Sequence, residues 1–121
     1  MIQGLRTVIY PVSDLARAKA WYNAVLGAAP YFDEPFYVGY AIGGFELGLI
    51  PDGKPGTAGA LAYWGVQDAA AELARLQDLG ATVHEELKDV GGGIKVSAVL
   101  DPFGNAFGII ENPHFDLKAL R

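Results

Sequence analysis

The chain spells out one order of elements twice, and that repetition limits its fold more than any single motif. Val12-Ser13-Asp14 recurs as Val66-Gln67-Asp68 after 54 residues, and Gly27 as Gly80 after 53. Gly44-Phe45-Glu46-Leu47-Gly48-Leu49-Ile50 recurs as Gly104-Asn105-Ala106-Phe107-Gly108-Ile109-Ile110 after 60. Leu5 to Val12 read as a strand rich in Thr, Val, Ile and Tyr, ended by Pro11. Ser13 or Asp14 then caps a helix of about 13 residues. Its apolar face is Leu15, Ala18, Tyr22, Val25 and Leu26, and Gly27 closes it. Tyr31–Phe32, Pro35 to Ala41 and Phe45 to Ile50 read as three short strands, broken by Asp33-Glu34-Pro35 and Gly43-Gly44.

The second half has the same grammar. Ala60 to Val66 reads as a strand, and Gln67-Asp68 caps a helix running to about Leu79, stopped by Gly80. Thr82 to Leu87, Ile94 to Leu100 and Ala106 to Ile110 read as strands, with turns at Gly91-Gly92-Gly93 and Asp101-Pro102-Phe103-Gly104-Asn105. Pro51-Asp52-Gly53-Lys54-Pro55-Gly56 is the linker. The expected organisation is one domain over residues 1–121. Module 1 covers about 1–52, the linker about 51–58, module 2 about 59–112 and a C-terminal tail 113–121. One helix shields only one face of a sheet, so two halves packed together, with pseudo-twofold symmetry, are expected to cover what neither covers alone.

Composition narrows the function classes. A 121-residue chain that is 51% apolar and 19% charged folds as a globular domain. Acidic residues outnumber basic ones 14 to 9, a net charge of −5, which repels phosphate backbones and anionic lipid. Nucleic acid and membrane are therefore not expected as partners. With no cysteine, disulfide scaffolds, thiol catalysis and cysteine-ligated metal are excluded. No signal peptide is read at Met1 to Arg6, no apolar run nears the roughly 20 residues of a membrane span, and the expected location is cytoplasmic.

Three pieces carry a family resemblance: Val12-Ser13-Asp14-Leu15-Ala16-Arg17-Ala18, Trp21-Tyr22 with Leu26-Gly27, and Asp101-Pro102-Phe103-Gly104-Asn105. With them the chain resembles the vicinal oxygen chelate superfamily: glyoxalase I, bleomycin- and fosfomycin-resistance proteins and extradiol dioxygenases. The resemblance covers nearly the whole chain. It implies an α+β fold of two βαβββ modules forming an open, curled mixed-sheet cup with helices outside, and a homodimer. In relatives the cup holds a divalent metal or, in the antibiotic-binding branch, an organic ligand alone.

The metal-ligand positions that the resemblance implies fall on Thr7 and Leu61 in the first strands and on Gly48 and Gly108 in the last strands. None is an ordinary ligand. The remaining imidazoles, His84 and His114, stand 30 residues apart without metal spacing. No metal and no other cofactor is expected, which counts against chemistry that needs a cation to polarise an enediolate or bind oxygen.

In the cup that the resemblance implies, strand alternation names the residues of the floor. Thr7 and Ile9 share a face, as do Glu46, Gly48 and Ile50, Leu61 and Tyr63, and Ala106, Gly108 and Ile110. The expected ligand-binding residues are Thr7, Ile9, Glu46, Gly48, Leu61, Tyr63 and Gly108. Tyr63 and Glu46 are the polar features, and Glu46 is the candidate catalytic base. Tyr31, Phe32, Phe36, Tyr37, Tyr40 and Phe45 lie close by in sequence and read as core, dimer contacts or ligand contacts. His84 reads as a solvated strand residue, His114 as a tail or rim residue, and Trp21 and Trp64 as packing. Gly91-Gly92-Gly93 leads into a strand and so makes no phosphate loop, reading instead as a mobile loop or lid. No Gly-x-Ser-x-Gly elbow is present.

Two functions remain in view. The leading one is a small-molecule binder of the bleomycin-resistance type, taking an apolar or aromatic ligand in a metal-free cup. The alternative is an enzyme of the superfamily, a lyase, isomerase or dioxygenase relative, acting on a small carbonyl or aromatic substrate. A structural module with a filled cup is the third reading.

Overall fold

The computed structural model describes residues 1 and 3–115. Within that range the elements run β1 (Thr7–Pro11), α1 (Leu15–Leu26), β2 (Phe32–Glu34), β3 (Tyr37–Ile42), β4 (Phe45–Ile50), β5 (Tyr63–Gly65), α2 (Ala69–Asp78), β6 (Thr82–Asp89), β7 (Lys95–Leu100) and β8 (Ala106–Glu111). The fold is α+β, with the βαβββ module present twice. Each module builds its own open four-stranded mixed sheet, in the orders β1-β4-β3-β2 and β5-β8-β7-β6. In each, the first strand runs parallel to the last strand of its module and the other neighbours are antiparallel. The chain divides into two compact units: Met1–Ala58 with Pro102–Asn105, and Gly59–Asp101 with the chain from Ala106 onward. Of the expected tail, residues 116–121 lie outside the described residues. Among the described residues, no helix is long and apolar enough to cross a membrane.

The helices start where the repeated aspartate predicts. Asp14 and Asp68 are extended N-caps whose carboxylates accept from the Arg17 and Ala71 backbone N–H groups, both at 3.1 Å. Gly27 closes α1 in the left-handed region at φ 64°, a conformation a side chain resists. Glu111 adds its carboxylate to the positive end of α2, accepting from Ala69 N at 2.9 Å.

Each helix covers one face of its own sheet. In the first unit, buried Tyr10, Val38, Tyr40, Leu47 and Leu49 meet Ala18, Tyr22 and Val25 of α1. The Tyr40 hydroxyl donates to Asn23 Oδ1 at 2.6 Å and ties helix to sheet. In the second unit, Ser97, Val99, Phe107 and Ile109 form the buried face beside Leu76 of α2, and Trp64 stacks on Phe107 at 6.3 Å. Asn105, buried and grouped with the first unit, donates to the Pro11 carbonyl at 2.7 Å and accepts from Gly56 N at 3.0 Å. Alternate residues on the second face of each sheet remain uncovered by a helix.

Several boundaries differ from the sequence reading. Asp33 and Glu34 belong to β2, and the turn falls at Pro35-Phe36. Asp33 is tolerated in this edge strand because its carboxylate reaches Lys19 of α1 at 3.0 Å. The strand expected over Ala60 to Val66 shrinks to Tyr63–Gly65, which leaves Leu61 outside it. Pairing there starts only at the Ala62 carbonyl, which accepts from Gly108 N at 3.0 Å, after the small residues Ala58, Gly59 and Ala60. In turn β6 runs on to Asp89, with register shifts between Val83 and Glu85 and between Glu85 and Lys88. Gly91-Gly92-Gly93, expected as the turn between β6 and β7 and as a mobile loop or lid, forms a hydrogen-bonded turn. Val90 N donates to Ile94 O at 2.8 Å, Ile94 N to Gly91 O at 3.0 Å, and Gly91 N to Asp89 Oδ1 at 2.7 Å.

Candidate functional site

The pairing of β1, β3 and β4 decides which side chains meet on the uncovered face of the first sheet. Thr7 lies opposite Glu46 and Ile9 opposite Gly48; Ala41 lies opposite Glu46 and Gly39 opposite Gly48. Paired residues point to the same side of a sheet. Four of the expected residues, Thr7, Ile9, Glu46 and Gly48, therefore do share one face. Tyr37 joins them by alternation from Gly39, and Phe32 joins through its pairing with Gly39.

Glu46 is the centre of this face. Tyr31 donates its hydroxyl to Oε1 and Tyr37 donates its hydroxyl to Oε2, so each carboxylate oxygen accepts one phenol proton. Beneath them lies a floor of two cross-paired glycines. A β-carbon at Gly39 would sit 3.0 Å from Tyr37 Cε2, 3.3 Å from Glu46 Oε2 and 3.3 Å from Tyr31 Cε1. One at Gly48 would meet the Tyr37 hydroxyl and lie 2.7 Å from its Cζ. Only residues without a side chain let the two tyrosines and the carboxylate lie this close to the backbone.

Around this centre the surface is aromatic and exposed. Tyr31 is 63% exposed, Ile9 50% and Phe36 64%. The Phe32 ring lies 6.0 Å from both Phe36 and Tyr37 and 6.5 Å from Tyr31. Glu34, paired with Tyr37, adds a second carboxylate to this side. The hydrogen bond to Glu46 is the main cause that raises the Tyr31 hydroxyl above its ordinary pKa, with burial and the Glu46 charge behind it. Burial comes first for Tyr37, followed by its bond to Glu46 and that charge, and the shift is large. Both phenols therefore stay protonated donors at neutral pH. Tyr40, grouped with them by sequence alone, is instead in the helix-side core, where burial and the Asp33 charge push it up to about 12.

The second unit carries a related but sparser arrangement. Tyr63 lies opposite Gly108, and Gly108 opposite Ala98, so these share the uncovered face of the second sheet. A β-carbon at Gly108 would lie 2.6 Å from the Ala62 carbonyl oxygen and 2.8 Å from Tyr63 Cδ1. The bulge after Val83 pairs Glu85 rather than His84 with Ala98, which brings a carboxylate to this face. Burial, then the Glu85 charge, then a hydrogen bond to Glu85 raise the Tyr63 pKa. Leu61 lies ahead of β5. His84 is exposed, and His114 Nε2 contacts the Gly92 carbonyl at 2.6 Å.

The positions that the resemblance gives to a divalent metal do not fit one. Thr7 offers a lone hydroxyl and Leu61 no donor. Gly48 and Gly108 have no side chain, and tyrosine or backbone atoms occupy the space a ligating side chain would need. Among the described residues, no group of three or more His, Asp or Glu side chains is placed to hold an ion.

The partners of Glu46 were the part missed by the sequence reading. A signal was available: a two-residue Gly43-Gly44 turn sets Ile42 against Phe45, and counting back places Gly39 over Gly48. That register puts Tyr37 on the face of Glu46, with only the bare Gly39–Gly48 pair between them. The place of Tyr31, which precedes β2, was not available from alternation. Nor was Glu85, because a bulge reverses the face.

The family pattern described as the Glyoxalase/Bleomycin resistance protein/Dioxygenase superfamily matches residues 4–109. The cadmium-induced protein CadI of Mycobacterium tuberculosis is 33% identical over 81 residues, 63% of this chain and 53% of CadI. The chain thus spans about half the length of the curated relatives it matches. The fosfomycin resistance protein FosX of Listeria monocytogenes superposes with a TM-score of 0.76 at 18% identity, covering 94% of this chain and 97% of that one. A glyoxalase/bleomycin resistance protein from Catenulispora acidiphila gives 0.66 at 26% identity, covering 91% and 100%.

Proposed function

The chain belongs to the glyoxalase/bleomycin resistance protein/dioxygenase superfamily, and from that membership we propose a binder of small apolar or aromatic molecules that works without a metal ion. The ligand sits on the uncovered face of the first sheet. One observation carries this reading: a carboxylate and two tyrosines lie over a bare glycine floor, in the midst of exposed aromatic rings. Apolar surface with a few placed polar groups is the usual make-up of a ligand site. The Gly39–Gly48 pair is the lowest point of the face, and a flat ring can approach the backbone there once Tyr37 swings aside.

FosX links this fold to resistance against a small toxic molecule, which agrees with a binding or detoxifying role. The name of CadI records induction by cadmium, and induction is a response rather than a ligand. The homodimer and cytoplasmic location expected from the sequence belong to the same proposal, and sedimentation equilibrium tests the dimer.

The test is an NMR titration of the amide spectrum with indole, a neutral planar probe. The Gly39, Glu46 and Gly48 amides are expected to shift together and saturably. Shifts confined to other residues, or none, would remove this face as the site. A second reading makes Glu46 a proton acceptor in catalysis, since its carboxylate stands on the uncovered face with both oxygens already accepting hydrogen bonds. Under that reading Glu46→Gln abolishes turnover of a carbonyl substrate while leaving its binding intact.

A further inference from the structure

We infer that the ligand of this face is a planar cation carrying two parallel N–H donors, of the amidinium or guanidinium class, which takes the places of the Tyr31 and Tyr37 hydroxyls on Glu46. This rests on the reading of the first sheet's uncovered face as the ligand site. The argument begins with the acceptor. Both oxygens of Glu46 are engaged by separate donors, Oε1 by Tyr31 and Oε2 by Tyr37. Two donors side by side on one carboxylate is the pattern that a single amidinium or guanidinium fork satisfies alone, with geometric specificity a lone ammonium lacks.

The present donors can leave. Each hydroxyl is the far end of a ring on two rotatable bonds, and Tyr31 is 63% exposed. Moving Tyr37 also clears the atoms nearest to Gly48 and Gly39, so one motion frees the acceptor and opens the floor. A flat ring attached to the fork would then lie on glycine backbone, beside the faces of aromatic rings that attract cations.

Charge selects a cation over a neutral donor. Glu34 and Glu46 are both on this side of the sheet. None of the strand residues that share it, Thr7, Ile9, Phe32, Tyr37 or Ile50 among them, is basic. Lys19 is held on the helix side by Asp33 at 3.0 Å, and Arg6, which precedes Thr7, donates its guanidinium to the Leu5 carbonyl and to Gln3 Oε1. Among the described residues no basic side chain forms an ion pair with Glu46. An incoming cation therefore meets an unneutralised carboxylate, and an anion meets repulsion.

The test compares benzamidinium with benzamide, which keeps the ring and removes the charge and the second donor nitrogen. Calorimetry gives affinity, and the Gly39 and Gly48 amide shifts give location. Benzamidinium is expected to bind at least about tenfold more tightly than benzamide in the folded wild-type protein. Glu46→Gln is expected to erase that preference, while Tyr37→Phe, which frees Oε2 of a competing donor, is expected to tighten benzamidinium severalfold. Equal binding of the two probes at these amides overturns the cation proposal and leaves the site reading standing. A preference that survives Glu46→Gln also overturns it, since another group would then hold the charge. If neither benzamide, benzamidinium nor indole moves these amides, both readings fall.

Discussion

Gly48 lies beneath the ring of Tyr37, so close that a β-carbon added to the glycine would be 2.7 Å from the tyrosine Cζ. In the second unit Gly108 lies beneath Tyr63, yet there the nearest atom is the Ala62 carbonyl oxygen, 2.6 Å away. A ring end can swing aside, whereas a paired backbone carbonyl moves only with its strand. Gly48→Ala is expected to push Tyr37 off Glu46 and lower stability by about 1 kcal/mol, the worth of one hydrogen bond. Gly108→Ala is expected to cost more, about 1–3 kcal/mol, by straining the β5–β8 pairing. Urea unfolding of both variants checks the order, and equal losses would mean that the ring over Gly48 is fixed.

Asn105 holds two backbone groups of the first unit, the Pro11 carbonyl and the Gly56 N–H. Asn105→Ala removes this partner from both, the half-buried Pro11 and the exposed Gly56, and empties a buried position. The expected loss is about 1–2 kcal/mol, since water can reach the Gly56 N–H but less readily the Pro11 carbonyl. Thermal unfolding followed by circular dichroism measures it. A loss below about 0.5 kcal/mol, the range of ordinary surface substitutions, would show that water replaces the side chain.

Alkaline pH should loosen the fold. Tyr40 ionises near 10.0 in a free chain and at about 12 in the native protein. Between those values the native state keeps a proton that the unfolded chain has lost. The stabilisation is therefore complete below pH 10 and falls as pH rises toward 12. Tyr31, Tyr37 and Tyr63 shift in the same direction. Phenolate absorbance is expected to rise later in the native protein than in urea. Glu46→Gln should bring Tyr31 back toward its ordinary range, because the bond to Glu46 is the largest cause of its shift.

Chelators and added divalent ions are expected to leave the melting temperature unchanged. A resident ion at 100 times its dissociation constant would add about 2.7 kcal/mol. The lone Thr7 hydroxyl, with no side-chain donor at Gly48, Leu61 or Gly108, is too little to produce that gain. Differential scanning calorimetry with EDTA, zinc and magnesium decides it, and a rise of several degrees with one ion would overturn the metal-free reading.

The architecture was legible because its signals are local and repeated. Asp14 and Asp68 cap helices by reaching three residues along the chain, and Gly27 closes a helix through its own backbone. The faces of β1 and β4 followed from a period of two, which placed Thr7, Ile9, Glu46 and Gly48 together. What was not legible depended on chain crossing or irregularity. Tyr31 reaches Glu46 from outside its strand, and Glu85 reaches the Tyr63 side through a bulge that alternation does not foresee. Leu61 fell outside β5 because strand length depends on where the partner strand offers a donor.

Residues 102–105 count with the first unit, although the chain writes them between two strands of the second. The halves are therefore interleaved in the gene, however alike they look when aligned. A first half severed at the linker would lack the asparagine that buttresses its own opening strand.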